Sequence, residues 1–239
     1  MSLLPKDVLV VIPAFNEERS IAGVVQTVRS AGHEMIVVSD GSSDGTVAEC
    51  RRIGAPVLQL PINLGVGGAL RTGFQYACRR GYSAVVQVDA DGQHDPGQIA
   101  ELIRAANETG ADLVLGSRFR SDGTTMKVGF LRRFVMRILA VSASVATHTQ
   151  ITDATSGFRL IRRPLLDQLS VDLATNYLGD TYESLVMSGR AGYRIHEVAV
   201  SMSDREHGVS SASVMDAVRF TIKGLGVFVL GLHPKLDHK

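Results

Sequence analysis

Two carboxylates two residues apart, Asp89 and Asp91, follow the apolar run at residues 84–88 and precede the amide side chain of Gln93. If extended backbone continues through them, both carboxylates point to the same face, because side chains alternate along a strand. Two carboxylates and an amide oxygen suit a hard divalent cation, Mg²⁺ or Mn²⁺, which takes oxygen ligands and keeps positions open for substrate phosphates. A lone Asp-x-Asp pair can equally cap an ordinary turn, so the surrounding elements decide between a metal site and a loop.

The first half of the chain alternates short apolar runs with segments of helical period. Five runs rich in Val, Ile and Leu predict strands that are covered on both faces: residues 8–12, 35–38, 57–60, 84–88 and 113–115. Two intervening segments, residues 21–28 and 99–106, place their apolar residues on one helical face. Asp95 before Pro96 is a typical helix start. This alternation predicts an α/β fold with a mostly parallel central sheet and helices on both faces.

A polar or glycine-rich segment follows each of the first four predicted strands. These segments lie at residues 13–17, 39–42, 63–68 and 89–93. Ligands of parallel α/β sheets bind where the strands end, at the carboxyl edge of the sheet. The sequence therefore predicts a ligand site at that edge, and this favours the metal-binding interpretation of Asp89 and Asp91.

The second half of the chain has a different pattern and contains no linker or internal repeat. The predicted elements are a helix at 130–146, a polar turn at 152–157, a strand at 158–161, a helix at about 181–188, a strand at 193–200 and a helix at about 214–229. We therefore expect a single domain. Residues 1–119 carry the sheet edge with the predicted ligand site, and residues 120–239 would supply the side of a second substrate.

The bulk composition excludes several classes of protein. Formal net charge is +1, aromatic residues make up 5% and Trp is absent, so nothing points to nucleic acid as a partner. Cys50 and Cys78 lack the spacing of a zinc site or a disulfide framework. No signal-peptide pattern opens the sequence, and no run approaches the roughly 18 apolar residues of a membrane span. We expect a cytoplasmic protein, soluble or peripheral at the inner face of the cell membrane.

Seven short segments occur in an order that resembles one enzyme family. They are residues 11–17 (VIPAFNE), 39–46 (SDGSSDGT), 63–67 (NLGVG), 88–95 (VDADGQHD), 116–119 (GSRF), 155–159 (TSGFR) and 204–205 (DR). Each is modest alone, but the ordered set resembles the family 2 glycosyltransferases of the GT-A fold. Within that family the chain is similar to the dolichyl-phosphate mannose synthases and the undecaprenyl-phosphate sugar transferases.

The resemblance implies a nucleoside-diphosphate-sugar donor, bound by a Rossmann-like nucleotide-binding half at residues 1–119. Five residues would hold its nucleoside: Pro13, Phe15, Glu17, Val38 and Asp40. Four more would lie at the diphosphate and the metal, with Asp89 and Ala90 contacting the donor and Asp91 and Gln93 ligating the metal. Asn63 and the glycines after it would let the backbone approach the donor, although a plain tight turn explains them equally well.

The resemblance also implies that Arg118 and Arg205 bind phosphates on the acceptor side, although Arg118 could instead form a surface ion pair. With a polyprenyl phosphate acceptor, Arg132 or Arg133 would join them. A planar guanidinium suits this task because it binds phosphate oxygens bidentately. Arg205 lies in a segment that resembles a loop closing over both substrates, and with Asp89 and Asp91 it completes the implied catalytic set. Ser211 stands where dolichyl-phosphate mannose synthases usually carry a Lys, so the sugar and the base of the donor stay open.

The implied chemistry is an inverting displacement at the sugar's anomeric carbon, with the metal stabilising the departing diphosphate. A polyprenyl phosphate acceptor needs no general base, because the second pKa of a phosphate monoester is about 6. A hydroxyl acceptor needs a carboxylate base, for which Asp153, Asp180 and Glu183 are candidates. Three alternatives stay open: a glycosyltransferase with a soluble hydroxyl acceptor, a nucleotidyltransferase, and an inactive nucleotide-sugar-binding protein.

Residues 130–146 predict an amphipathic basic helix. Its apolar residues recur at near-helical spacing, with Arg132, Arg133 and Arg137 beside them. Such a helix can lie in a lipid interface with its arginines at headgroup phosphates. It can equally pack into the fold with a solvated basic side. The first interpretation predicts peripheral contact with the membrane, either directly or through a separate membrane-anchoring protein.

Overall fold

A sheet of seven strands forms the centre of the part of the chain that the computed structural model describes, residues 2–119, 130–173 and 180–201. The strands are β1 (Val8–Ala14), β2 (Glu34–Ser39), β3 (Val57–Gln59), β4 (Ala84–Gln87), β5 (Leu113–Ser117), β6 (Arg159–Arg162) and β7 (Ile195–Ala199). The helices are α1 (Ile21–Ser30), α2 (Thr46–Arg52), α3 (Val66–Arg80), α4 (Ile99–Thr109), α5 (Phe130–Thr147), α6 (Leu165–Asp172) and α7 (Asp180–Arg190). The 3₁₀ turns Pro5–Asp7 and Pro96–Gln98 precede β1 and α4.

One strand of this sheet runs against the other six. The order across the sheet is β3-β2-β1-β4-β6-β5-β7, and the neighbouring pairs are parallel except the two that β6 makes with β4 and β5. The carboxyl ends of β1, β2, β4 and β5 therefore meet at one edge, where β6 presents its amino end instead. Ligands of parallel α/β sheets bind at this edge.

Both faces of the sheet are buried, because the strands send alternate side chains into two hydrophobic clusters. Along β1, Val8, Val10 and Ile12 lie in one cluster with residues of α1 and α4. Leu9 and Val11 lie in the other cluster with residues of α3, α5, α6 and α7. Helices thus cover both faces of a mostly parallel sheet, as the sequence predicts.

The predicted elements of the described ranges are largely confirmed. The five strands of the first half end within two residues of their predicted bounds, and the helix predicted at 130–146 is α5. Asp95 begins the turn before α4, because its Oδ1 accepts a hydrogen bond from the Gly97 N–H at 2.9 Å. The hydrophobic pattern of the sequence does not predict α6. Helix α3 begins at Val66, inside the glycine-rich segment 63–68 that was expected to be a loop. The helix predicted at 214–229 lies outside the described residues.

No helix in the described ranges is both long enough and apolar enough to cross a lipid bilayer.

Helix α3 lies very close to β1 at Gly73. A Cβ added to Gly73 would lie 2.3 Å from Cγ1 and 3.2 Å from Cγ2 of Val11. Val11 is fully buried in β1, an inner strand of the sheet, so its side chain has little room to move away. The packing of α3 on the sheet therefore requires glycine at this position.

We expect Gly73→Ala to lower the free energy of unfolding by about 1–3 kcal/mol, the usual penalty for overpacking a core. Gly23→Ala in α1 is the matched control, because a Cβ added there meets no atom within 4 Å. The control should raise stability by about 0.5–1 kcal/mol, since Ala favours the helix over Gly. Urea unfolding of both variants measures the difference, and effects of the same sign would contradict the close packing.

Candidate active site

The loop after β2 packs against the segment that leads into α3. Asp40 is buried, and its Oδ1 accepts a hydrogen bond from the backbone N–H of Leu64 at 2.7 Å. Gly41 has a φ of +67°, and a Cβ there would lie 2.6 Å from the carbonyl carbon of Ile62. Asn63 is exposed beside this contact. Asp40 therefore fixes the segment that carries Asn63, a role distinct from the nucleoside contact implied by the sequence.

The loop after β1 is tied to the same region. The Oδ1 of Asn16 accepts a hydrogen bond from the Ser43 N–H at 2.9 Å, and the Glu17 N–H donates to Thr46 Oγ1 at 2.8 Å. These bonds hold the two residues directly after Phe15, and 46% of Phe15 itself is exposed at the edge. An exposed aromatic ring on a fixed loop can stack on a planar ligand.

The five residues expected at the nucleoside all lie at this edge, but they differ in exposure. Pro13 and Val38 are paired across β1 and β2, and both are buried. Phe15 is exposed and Glu17 is partly exposed, whereas Asp40 is buried. A ligand at this edge would therefore meet the side chains of Phe15 and Glu17 first.

The segment expected to bind metal is a turn and not a continuation of the strand. Strand β4 ends at Gln87, so the expectation of two carboxylates on one extended face is wrong. Asp91 is buried, and its Oδ1 accepts a hydrogen bond from the Gln93 N–H at 3.0 Å. Asp89 keeps 38% of its side chain exposed, and its Oδ1 accepts from Gln87 Nε2 at 3.3 Å. The turn, rather than strand alternation, brings Asp91 and Gln93 together, with Ala90 buried between the two carboxylates.

His94 supports Asp89 at two points. The Asp89 N–H donates to Nδ1 of His94 at 2.9 Å, so the neutral ring carries its proton on Nε2. That Nε2 lies 3.6 Å from Oδ2 of Asp89, and the buried ring stacks on Phe158 with the ring centroids 5.2 Å apart. No role was predicted for His94 from the sequence. Its position inside the segment 88–95 was the available signal.

The turn that leads into the amino end of β6 packs closely against the carboxylate of Asp89. A Cβ added to Gly157 would lie 2.9 Å from Oδ2 of Asp89 and 3.1 Å from Nε2 of Gln87. This approach follows from the antiparallel pairing of β4 with β6, in which Gln87 lies opposite Arg159. The turn before β6 therefore lies directly beside Asp89, the carboxylate that is predicted from the sequence to contact the sugar donor.

Arg159 holds that turn in place. The guanidinium is buried and donates to the carbonyl oxygens of Ser156 at 2.6 Å and Ala154 at 3.3 Å. It also donates to the carbonyl oxygen of Thr181 in α7 at 2.6 Å. Hydrogen bonds from a charged donor are among the stronger ones in proteins, so Arg159 links the turn firmly to α7. Arg159 belongs to the segment 155–159, but no role was predicted for it from the sequence.

Arg118 lies at the end of β5, where it forms a nearly buried ion pair with Asp153. Its Nε lies 2.6 Å from Oδ2 and its Nη2 2.9 Å from Oδ1 of that carboxylate, and Nη2 also donates to Thr155 Oγ1 at 3.3 Å. The Arg118 side chain is 16% exposed and that of Asp153 is fully buried. Burial opposes the charge on Arg118, but the hydrogen bond and charge of Asp153, followed by the charge of Asp89, raise the pKa of Arg118.

The bidentate pair changes the expectation for the carboxylate bases. Asp153 is not available as a base, because both of its oxygens accept hydrogen bonds from Arg118. Glu183 is buried in α7. The side chains of Asp180, Arg132 and Arg133 lie outside the described part of the chain, as do the whole of Arg205 and Ser211.

The side-chain oxygens at this edge are suitable ligands for a divalent cation that binds together with a substrate. Asp89, Asp91 and Gln93 offer two carboxylates and one amide oxygen, all of them hard ligands. Mg²⁺ is usually held by one or two carboxylates together with waters and substrate phosphates. In the described ranges, no cluster of three or more His, Cys, Asp or Glu side chains is arranged around a metal position.

We expect Asp153→Ala to lower the free energy of unfolding by about 3 kcal/mol, because it leaves the Arg118 charge largely buried without its partner. Adding Arg118→Met removes that charge, so the double variant should recover part of the loss. Asp167→Ala is the control, since the Arg163–Asp167 pair at 3.2 Å is exposed and such pairs contribute at most about 1 kcal/mol. Thermal or urea unfolding measures all three, and a double variant no more stable than Asp153→Ala would contradict this account.

The sequence matches a known family model over much of its length. Residues 9–170 match the model described as glycosyl transferase family 2. That range contains the segments at 11–17, 39–46, 63–67, 88–95, 116–119 and 155–159 on which the resemblance depends.

Two curated relatives are about one-third identical to the chain. The polyprenol monophosphomannose synthase of Mycolicibacterium smegmatis is 33% identical over 222 residues, which cover 86% of this chain and 80% of the relative. The undecaprenyl-phosphate mannosyltransferase of Micrococcus luteus is 33% identical over 214 residues, covering 86% of this chain and 87% of the relative.

A solved structure has the same fold. Glucosyl-3-phosphoglycerate synthase from Mycobacterium tuberculosis, in complex with Mn²⁺, uridine diphosphate and glucosyl-3-phosphoglycerate, superposes with a TM-score of 0.68. It is 21% identical, with 92% of this chain and 79% of that chain covered. The sequence and fold comparisons agree, and the chain belongs to glycosyl transferase family 2 and has the GT-A fold.

Proposed function

We propose that the protein is an inverting, metal-dependent glycosyltransferase that moves one sugar from a nucleoside-diphosphate-sugar to a polyprenyl phosphate. The observation that carries the proposal is the position of Asp89 and Arg118 on either side of β6, at one edge of the sheet. A carboxylate turn suited to a metal and a fixed guanidinium suited to a phosphate thus share one site. The two curated relatives, whose names refer to polyprenol and undecaprenyl phosphate, support the same acceptor class.

The donor is assigned to the loops of the first half, residues 1–119. Phe15 is exposed for stacking on the base, and Glu17 is partly exposed two residues further along. Asp40 fixes the backbone segment that carries the exposed Asn63. Pro13 and Val38 support these loops from inside the sheet. Asp89 and Ala90 then lie toward the diphosphate and sugar, at the end of β4.

Asp91 and Gln93 would hold the divalent metal, Mg²⁺ or Mn²⁺, together with the donor diphosphate. The ion, when bound, neutralises charge that builds on the departing diphosphate. Mn²⁺ and uridine diphosphate in the fold relative from M. tuberculosis support a metal bound together with a nucleotide. The chain's own contribution is to hold Asp91 in a buried turn through its hydrogen bond with the Gln93 N–H, so that little reorganisation is needed on binding.

The acceptor is assigned to Arg118 and, from residues 120–239, to Arg132, Arg133 and Arg205. Arg118 directs Nε and Nη2 to Asp153 and Thr155, whereas no acceptor in the described ranges contacts its Nη1. Both hydrogens of Nη1 therefore remain for an oxygen of the acceptor phosphate. A phosphate monoester is already largely anionic near neutral pH, since its second pKa is about 6. The loss of Asp153 as a base is consistent with such an acceptor.

Helix α5 supports a position at the cytoplasmic face of the membrane, directly or through an anchoring partner protein. Leu139 and Ala143 pack into the core, so part of the predicted amphipathic face is internal. Val141 and Val145, one helical turn apart, are 59% and 58% exposed. Exposed valines on a helix that also carries Arg132, Arg133 and Arg137 are suited to an interface of lipid tails and anionic headgroups.

We expect Asp91→Ala to abolish the enhancement of nucleotide binding by Mn²⁺ while leaving the fold intact. The reason is that the buried carboxylate supplies a charged ligand that alanine cannot replace. Calorimetric titration with uridine diphosphate and with guanosine diphosphate, each with and without Mn²⁺, measures the effect. Asp172→Ala, an exposed change at the end of α6, should bind like the wild type. Undiminished Mn²⁺ enhancement in Asp91→Ala would remove Asp91 from the metal site.

The acceptor class is tested by offering the enzyme a short polyprenyl phosphate and, separately, soluble hydroxyl compounds such as phosphoglycerate. Each is supplied with GDP-mannose or UDP-glucose and Mn²⁺. We expect transfer to the polyprenyl phosphate, and Arg118→Ala should lower kcat/KM for it at least tenfold because one directed phosphate contact is lost. Transfer only to a soluble hydroxyl compound would overturn the lipid acceptor and retain the glycosyltransferase.

We expect binding to anionic vesicles of phosphatidylglycerol and phosphatidylcholine to weaken as salt rises. The double change Arg132→Glu and Arg133→Glu should weaken it about 30-fold or more, since each basic residue near an anionic surface contributes about 1 kcal/mol. Arg79→Glu with Arg80→Glu, at the exposed end of α3, is the charge-matched control. Vesicle co-sedimentation measures binding, and equal losses in both double variants would argue against α5 as the membrane-facing helix.

A further inference from the structure

Glu197 is a buried carboxylate in the middle of β7. It lies in β7 between Ile195 and Val198, and only 1% of the residue is exposed. One oxygen, Oε1, accepts hydrogen bonds from the backbone N–H groups of Thr152 and Asp153, both at 2.9 Å. The other, Oε2, accepts from the Thr152 N–H at 3.0 Å and from its hydroxyl at 2.8 Å. A side chain from the last described strand thus holds the turn that contains Asp153.

The hydroxyl bond gives the network a direction. The single hydroxyl proton of Thr152 is donated to Glu197, so the Thr152 oxygen accepts the proton of Ser117 Oγ, which lies 2.7 Å away. The Ser117 oxygen in turn accepts the backbone N–H of Phe119 at 3.2 Å. An oriented chain therefore runs from the Phe119 backbone through Ser117 and Thr152 to Glu197.

A second branch of the network leads from Glu197 to Arg118, the residue between Ser117 and Phe119. Glu197 holds the backbone of Asp153, and the Asp153 carboxylate holds the Arg118 guanidinium through contacts at 2.6 and 2.9 Å. The backbone N–H of Arg118 also donates to Asp153, at 3.4 Å. The residues before and after Arg118, and Arg118 itself, are thus all fixed by a turn that depends on one carboxylate.

We propose that Glu197 is the positioning residue for Arg118: through Thr152 and Asp153 it directs the guanidinium toward the phosphate of the acceptor. The part of Arg118 in acceptor binding rests on the proposed function, whereas its fixation by Glu197 rests on the hydrogen bonds alone. Glutamine cannot substitute, because its single acceptor oxygen faces three donors and its NH₂ group would point at an N–H or O–H. Glu197 itself lies behind the turn and contacts no substrate.

The first arm of the test measures the fixation without any substrate. The Nε–H proton of Arg118 is assigned by ¹⁵N NMR through its loss in Arg118→Lys, and its exchange with water is followed in each variant. Glu197→Gln should accelerate this exchange at least tenfold. Glu101→Gln, the same change in the exposed Glu101–Arg104 pair of α4, should not alter it. Unchanged exchange in a folded Glu197→Gln protein would overturn the proposal.

The second arm separates positioning from a merely structural role. With the donor that the wild type uses, Glu197→Gln should lower kcat/KM for a short polyprenyl phosphate at least tenfold and leave the Kd of the nucleotide with Mn²⁺ unchanged. In an Arg118→Ala background it should cause little further loss, because two residues that act through one contact are not additive. Equal losses in both backgrounds would overturn the positioning role.

A further variant guards against misfolding and against failure of the proposed function. If Glu197→Gln does not fold, Thr152→Val breaks the hydroxyl branch alone and should accelerate Arg118 exchange to a smaller, measurable degree; no acceleration would overturn the proposal. If the wild type transfers no sugar to polyprenyl phosphate, the proposed acceptor is wrong. The exchange measurement still decides whether Glu197 positions Arg118.

Discussion

Because β6 runs against its neighbours, its amino end lies among the carboxyl ends of β4 and β5. The rest of the site depends on this reversal. It places Gly157 against Asp89 on one side and carries the turn with Asp153 and Thr155 to Arg118 on the other. A parallel strand in this position would direct its own carboxyl end to the edge, and the turn that contacts both sides would lie at the opposite edge of the sheet.

Charge is the second constraint, and it differs between the two sides of β6. Asp40, Asp89 and Asp91 gather where the anionic diphosphate is proposed to bind. Carboxylates and a diphosphate are all anionic, so a divalent cation is a natural third partner there. Arg118, in contrast, is already neutralised by Asp153 at 2.6 Å. If Arg118 binds the acceptor as proposed, its own contribution would come from directed N–H groups more than from long-range attraction.

Features that depend on local burial, or on the order of motifs along the chain, are predicted well from the sequence. Apolar runs such as Ala84–Gln87 identify the strands because both faces of the sheet are covered, and the ordered motifs identify the family. Prediction from the sequence fails where a local turn competes with the strand: the expected extension through Asp91 is replaced by a turn at Asp91 and Gly92, residue types that favour turns. It also fails for partners that are remote in sequence. Arg118 and Asp153 are 35 residues apart, and Thr152 and Glu197 are 45 apart, so no local pattern relates them.

The spacing of the strands links this geometry to the proposed chemistry. Neighbouring strands lie about 4.8 Å apart, so β4 and β5, which flank β6, are separated by about 10 Å. A diphosphate held beyond β4 at Asp91 and an acceptor phosphate held beyond β5 at Arg118 would leave room for one sugar between them.

An inverting displacement requires the nucleophile and the leaving group on opposite sides of the anomeric carbon. With the two groups held on opposite sides of β6, binding itself would impose that alignment, and a fixed orientation can supply a large part of the rate enhancement. In the proposed reaction the rigidity of Arg118 would then be a requirement, because the amino end of β6 and the turn before it would form the surface against which both substrates are aligned.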